Sequence, residues 1–212
     1  MGDGTMPPTT SSDVISLAPI KRQTILVPIE GITPLIVHRF SEKAKKQMLD
    51  DQDKTKAKTK RPPQDPEAEY NAARYILDAN RDGFPSVGFK AAIVGAARLF
   101  DGISMTALKQ AIYVTGEGAE QLVHIVGTPE MREDVTRVGM GTANLRYRPV
   151  YTPWSALLTV NFVPSMINES SVLALVDAAG MGGVGEWRPS APKSATGSYG
   201  QFKVSDSETV TL

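Results

Sequence analysis

Apolar residues in this chain switch repeatedly between two spacings, and that alternation limits the fold more than any other feature. Ile25, Val27 and Ile29 recur at every second position and the run ends at Gly31, the pattern of a strand with one buried face. After Ser86, the residues Phe89, Ala92, Ile93, Ala96 and Phe100 recur at intervals of three and four, which predicts an amphipathic helix. Period two returns in 156–163, where Leu158, Val160 and Phe162 face one way and Leu157, Thr159 and Asn161 the other. Strands are also predicted at Leu122–Val126, Leu145–Tyr151 and Tyr199–Val204. Asn168 is placed to cap a helix carrying Val172, Leu175, Val176 and Ala179 on one face, with Gly180 at its C′ position as the stop. Strand, helices, several strands, helix and strand is the order of an α+β fold with an antiparallel sheet and its helices on one face. The ferredoxin-like (RRM-like) β-α-β-β-α-β unit is the nearest template.

Two further helices are predicted: one from Ser41, with Glu42 in its first turn, toward Leu49, and one over 67–80 with Tyr70, Ala73 and Leu77 on a face. Between them, residues 50–66 alternate Lys and Thr and then carry Pro62, Pro63 and Pro66, which breaks a helix and reads as a lysine-rich inserted loop. The expected organisation is therefore a tail over 1–22, one domain over 23–204, and a short tail over 205–212.

With 212 residues the chain is long enough to bury its own core, and the absence of cysteine removes disulfides, thiolate chemistry, iron–sulfur clusters and cysteine-built zinc sites. No apolar run approaches the roughly 18–20 residues that span a bilayer, so the expectation is a cytoplasmic protein with no membrane partner. The 23 basic and 23 acidic residues balance, which argues against a uniformly basic surface. Their distribution is nevertheless uneven. Residues 43–61 hold eight bases and three acids, and 135–203 hold six bases and three acids. The compensating acids lie in 62–82 and 117–134.

Several motifs lead nowhere. Gly180, Gly182 and Gly185 spell G-x-G-x-x-G, but the dinucleotide fingerprint needs a strand before it and a helix after it, and here a helix precedes. Neither His38 nor His124 has a metal-ligand partner at helical or turn spacing, so neither a metal nor another cofactor is called for. His124 lies within an apolar strand, as a structural histidine does. His38 follows the first strand and is the one candidate for a general base on a ribose hydroxyl, with a hydrogen-bonding loop residue as the plainer alternative.

A binding signature remains. Arg146 and Arg148 are two apart on a predicted strand and project from one face, with Tyr151 and Trp154 nearby, while Trp187 and Arg188 sit in a glycine-rich loop. Guanidinium groups take phosphates, and aromatic rings stack on unpaired bases at about 1–3 kcal/mol each, which together give sequence-tolerant single-strand binding. The plainer alternative puts Trp154 in the core and pairs the arginines with acids elsewhere. Lys43, Lys45 and Lys46 open a segment that is either a solvated loop or an electrostatic clamp on a phosphate backbone.

The stretch Phe84-Pro85-Ser86-Val87-Gly88-Phe89-Lys90-Ala91-Ala92-Ile93 resembles the "hydrophobic-Pro-Gly-Ser-Ser-hydrophobic-Lys-Gly" helix start of the RAMP superfamily, which includes the repeated backbone subunits of CRISPR effector complexes; Ser86, Val87 and Ala91 depart from its commonest residues. The run 182–188, continuing through 197–202, is similar to that superfamily's glycine-rich loop and final strand. The chain also resembles an uncharacterised family carried by phages and prophages, through residues 31–38, Arg146-Tyr147-Arg148-Pro149 with Trp154, and 183–189 with Tyr199-Gly200.

These resemblances imply a ferredoxin-like fold whose glycine-rich loop and helix start approach a single-stranded nucleic acid, and subunits that stack along it, alone or with other effector subunits, in a bacterial or phage-infected cytoplasm. Gly182, Gly183, Gly185, Trp187 and Arg188 would border the strand with Lys90 nearby, and Arg137 and Lys193 add positive charge to the same half of the chain. Enzymatic members depend on residues near the first strand-to-helix loop, where this chain has His38 without an accompanying tyrosine or lysine. The expected function is non-enzymatic binding of single-stranded RNA or DNA by a protein that assembles along it. The alternatives are a metal-independent endoribonuclease using His38 and a phage structural or assembly protein without nucleic acid.

Overall fold

The structure is a computed structural model that describes residues 17–40, 49, 64–138, 142–192, 196–206 and 210–211. It is a mixed α+β protein with antiparallel sheets and, among the described residues, four α-helices. The elements are β1 (Gln23–Gly31), β2 (Leu35–Ile36), α1 (Pro66–Ala72), β3 (Asp82–Pro85), α2 (Ser86–Ala96), α3 (Met105–Ala111), β4 (Ile112–Thr115), β5 (Leu122–Val126), β6 (Pro129–Val138), β7 (Thr142–Tyr151), β8 (Ser155–Phe162), α4 (Glu169–Gly182), β9 (Phe202–Val204) and β10 (Val210–Thr211). A 3₁₀ turn, Ala97–Leu99, extends α2.

β1 and β8 form the centre of the larger sheet, with Val27 opposite Leu158 and Ile25 opposite Val160. β9 and β10 pair with the outer edge of β1, while β4 and β5 pair with β8, and β3 with β5. The alternating residues of β1 and β8 join Phe89 and Ile93 of α2 and Val172, Leu175 and Val176 of α4 in one buried cluster. That is the expected consequence of matching a period-two face to two helical stripes. Leu157 on the opposite face is exposed, as its place in the alternation requires.

β6 and β7 form a long hairpin that stands apart, joined by β2 into a second sheet of order β2-β7-β6. Buried Asp82 ties the two sheets together: it accepts two hydrogen bonds from Arg74 at 2.9 Å and one from the fully buried Tyr151 hydroxyl of β7 at 2.7 Å. A buried carboxylate is tolerable only with such partners.

Several boundaries differ from expectation. The helix expected over 67–80 ends at Ala72, and the residues after it turn back on β3: Ile76 bridges Asp82, Gly83 N–H donates to Tyr75 O at 2.7 Å, and Asp78 Oδ1 closes the turn by accepting from the backbone N–H of Asn80 and Arg81. α4 runs through Gly180 to Gly182; the cap is Gly183, whose φ of 67° with an extended ψ of 176° is a conformation that glycine alone adopts readily and that ends the helix. The strand expected over Tyr199–Val204 begins at Phe202. Residues 210–211, expected in a tail, pair with Ile25 and Leu26 of β1. β6 escaped sequence reading because its alternation is written in charge, with Arg132 and Asp134 on one face and Met131, Glu133 and Val135 on the other, so no apolar period marks it. The helix expected from Ser41 and the lysine-rich loop fall outside the described residues, apart from helical Leu49 and from residues 64–66.

Asn168 caps α4 as expected, its Oδ1 accepting from Ser171 N–H at 2.9 Å. Asn168→Ala should lower stability by about 1 kcal/mol, read as a lower urea midpoint at unchanged slope.

Candidate nucleic-acid interface

α2 and α4 lie side by side, and a groove of about 700 Å³ opens where the loop after α4 meets them. The walls are built from small residues: Gly88, Ala91, Ala92 and Gly95 of α2, Ala178 and Ala179 of α4, then Gly182, Gly183 and Gly185 of the loop. Gly185 has φ 78°, and a Cβ there would run into the Ile36 carbonyl, so only glycine fits. The loop is pinned on both sides: Glu186 N–H donates to Ile36 O at 2.8 Å and Val184 N–H to Gly200 O at 2.9 Å. Arg98 and Arg188 bring positive charge to this groove, His38 contributes to its wall, and Glu186 is its acid. Arg188 is steadied by donating to the Gly185 carbonyl at 2.8 Å. Residues 84–92 and 182–190, far apart in the chain, thus meet in one concave surface. Val87, Leu99 and Met181 leave apolar side chains exposed along it.

Beside the groove lies an arginine cluster on the β6–β7 hairpin. Arg146 and Arg148 share a face, as their spacing predicts, with Arg132 and Asp134 across from them. Arg148 is 3 % exposed and donates to buried Asp134 at 2.6 and 3.1 Å, with Glu186 at 3.4 Å from its other amino group. Arg132 Nε donates to the second oxygen of Asp134 at 2.7 Å. Trp187 packs over both guanidinium groups, 4.7 Å from Arg148 and 5.4 Å from Arg132, and Tyr199 takes Arg132 at 5.1 Å. The tryptophan has φ 54°, a strained backbone for a bulky residue, held in place by these contacts and by Tyr199 N–H donating to its carbonyl.

The two arginines expected to act alike are therefore separated. Arg148 is engaged in buried ion pairs, whereas Arg146 is only half-buried and its charge is felt at His38. Burial, then the charges of Arg146 and Arg148, lower the His38 pKa to about 4. The ring is neutral at pH 7, and a value so far below neutrality does not suit a general base working there. Its remaining ring contact is an edge-on one with Phe40 at 5.7 Å.

Other sequence candidates are dispersed. Lys90 lies 5.8 Å from the Tyr113 ring of β4 and does not line the groove. Trp154 is a core residue packed on Gly31, its indole N–H donating to Thr33 O at 2.8 Å, and Tyr151 is buried as well. Arg137 pairs with Ala143 in the hairpin ladder. Lys43, Lys45, Lys46 and Lys193 lie outside the described residues. Among the described residues no cluster of His, Asp and Glu is arranged to hold a metal, and no helix is long and apolar enough to cross a membrane. Sequence reasoning missed Arg98, Arg132 and Tyr199. Arg98 continues the helical spacing 88, 91, 95, 98 and was legible in principle, whereas Arg132 needed the hairpin register.

No family model and no curated protein matches this chain. Among solved structures it is similar to a chain of the cryo-EM structure of the Type III-B Cmr-beta bound to cognate target RNA, with a TM-score of 0.46 and 10% identity. The superposition covers 91% of this chain and 61% of that one, so this chain spans less than two thirds of its length.

Proposed function

We propose that this protein binds single-stranded nucleic acid, RNA or DNA, without cutting it, through the groove between α2, α4 and the glycine-rich loop. The observation that carries this reading is the meeting of glycine backbone, Arg98 and Arg188 in one concave surface, with Arg146 beside it. Missing Cβ atoms let a sugar–phosphate backbone come close to the chain, and the arginines supply phosphate partners. Trp187 then serves to orient Arg148 and Arg132, rather than only to stack on a base. We read the larger sheet as ferredoxin-like, a reading supported by the order β9-β1-β8-β4 with α2 and α4 packed together. The same reading takes the chain as a phage-encoded or effector-backbone-like subunit of the cytoplasm that lines up with copies of itself along the strand.

The test is a fluorescence-anisotropy titration with a labelled single-stranded oligonucleotide over a range of salt. Arg98→Ala with Arg188→Ala should weaken binding at least about tenfold and flatten the salt dependence, since each lost phosphate contact on a single strand removes about 0.7 from the logarithmic slope. Arg146→Ala should act in the same direction to a smaller degree. Affinity and slope equal to the unaltered protein's in the double variant would remove the groove from consideration.

A further inference from the structure

We propose that occupation of the groove by a phosphate backbone is coupled to protonation of His38, so that the protein holds its strand more tightly as pH falls from 7 to 5. This rests on the strand-binding reading above.

The geometry supplies the coupling. Val37 N–H donates to Pro149 O of β7 at 3.1 Å and Glu186 N–H to Ile36 O, which wedges the His38 backbone between the hairpin and the glycine loop. From β7 the ring meets the charges of Arg146 and Arg148. The groove it lines adds Glu186 and Arg188 from the loop and Tyr75 from the segment after α1. On its own segment Arg39 is drawn off into an ion pair with Glu120, and behind Arg148 lies Asp134. Burial holds the imidazole neutral first, and the guanidinium charges of Arg146 and Arg148 add to it. No hydrogen bond to the ring is found among the described residues.

A phosphodiester seated between Arg146, Arg188 and His38 reverses that field. It neutralises the guanidinium charge and offers the imidazolium an acceptor, and both effects favour the protonated ring. Proton uptake on binding and strengthened binding at low pH are then one linkage read from two sides. The sign is fixed: affinity rises as pH falls through the bound-state pKa and levels off below the free value of about 4. A ring returned by phosphate to about 6 would give affinity about tenfold higher at pH 5 than at pH 7. Glu186 lines the same groove, so the informative quantity is the difference made by His38 itself.

Two measurements test this. Anisotropy with a labelled 15-residue oligothymidylate, at constant ionic strength from pH 5 to pH 8, should show the unaltered protein gaining about tenfold more than His38→Gln on acidification. Equal pH profiles in the two proteins overturn the coupling and leave strand binding standing. No binding at any pH overturns the strand-binding reading, and the coupling with it. Proton NMR of the imidazole resonances is simple because the chain has only two histidines, and His38→Gln assigns them. Titrated with sodium sulfate, a divalent anion that does not itself protonate in this range, the His38 midpoint should move up from about 4 toward 6. A His38 midpoint unmoved by sulfate contradicts the proposed field reversal.

Discussion

Arg148→Ala should destabilise this protein by about 3–5 kcal/mol, a loss belonging to folding and not to ligand binding. The reasoning runs through Asp134. Its side chain is 2% exposed and that of Arg148 3%, so neither charge has water to fall back on. Removing the arginine leaves the carboxylate, among the described residues, with the single bond from Arg132 Nε, and takes from Glu186 its bond to Arg148 in the same step. It also takes away the cation over which Trp187 is stacked, loosening a loop whose tryptophan already carries an unfavourable backbone conformation. For a chain of this size the midpoint of thermal unfolding should fall on the order of 10 °C. Asp134→Asn added to Arg148→Ala should recover part of the loss, because it removes the stranded charge while keeping the shape. A melting temperature within about 2 °C of the unaltered protein's would mean that Arg148 is free, and would return it to the list of phosphate contacts. Arg146→Ala, one strand position pair away, should cost less than about 1 kcal/mol by the same measurement, since that side chain is only half-buried.

Gly180→Ala and Gly95→Ala should move stability in opposite directions although both glycines are helical. Alanine is the better helix former by about 1 kcal/mol, so an unobstructed site gains from the change. Gly95 has no atom within 4 Å of where its methyl would stand, and the variant should be about 0.5–1 kcal/mol more stable. At Gly180 the methyl would lie deep inside van der Waals contact with the carbonyl oxygen of Phe202. Because that oxygen belongs to the β9 backbone, α4 would have to move off the strand, at a cost of about 1–3 kcal/mol or more. Urea midpoints of the two variants, compared with the unaltered protein, give the signs directly. A stabilised Gly180→Ala would show that α4 and β9 are not packed this closely. The first glycine of the G-x-G-x-x-G string is thus accounted for by helix–strand packing, with no nucleotide involved.

Most of the fold was legible wherever burial wrote a period into the chain. β1, β5, β8, α2 and α4 were each marked by apolar spacing, and the Asn168 cap by its side-chain chemistry. β3, β4 and α3 are short, and β6 carries charges on both faces, so their signals lay below what spacing can show. For the interface the legibility was uneven in a different way. Placing Arg146 and Arg148 on one face follows from strand geometry alone, but which of the two is spent on a buried carboxylate depends on Asp134, a residue from the neighbouring strand in a segment whose sequence shows only an excess of acids.

The local patterns in the amino-acid sequence are enough to establish an antiparallel α+β protein, its principal strands and helices, and the absence of thiol chemistry. Only the tertiary structure decided that residues 84–92 and 182–190 share a groove, that Arg148 is paired and Arg146 half-buried, and that His38 is neutral among arginines. The physical reason is one of range. Helix and strand periodicity act within a few residues and are written locally, whereas burial of a charge and the field at an imidazole are set by groups on other elements, 14 positions apart for Arg148 and Asp134 and on the order of a hundred for His38 and its arginines.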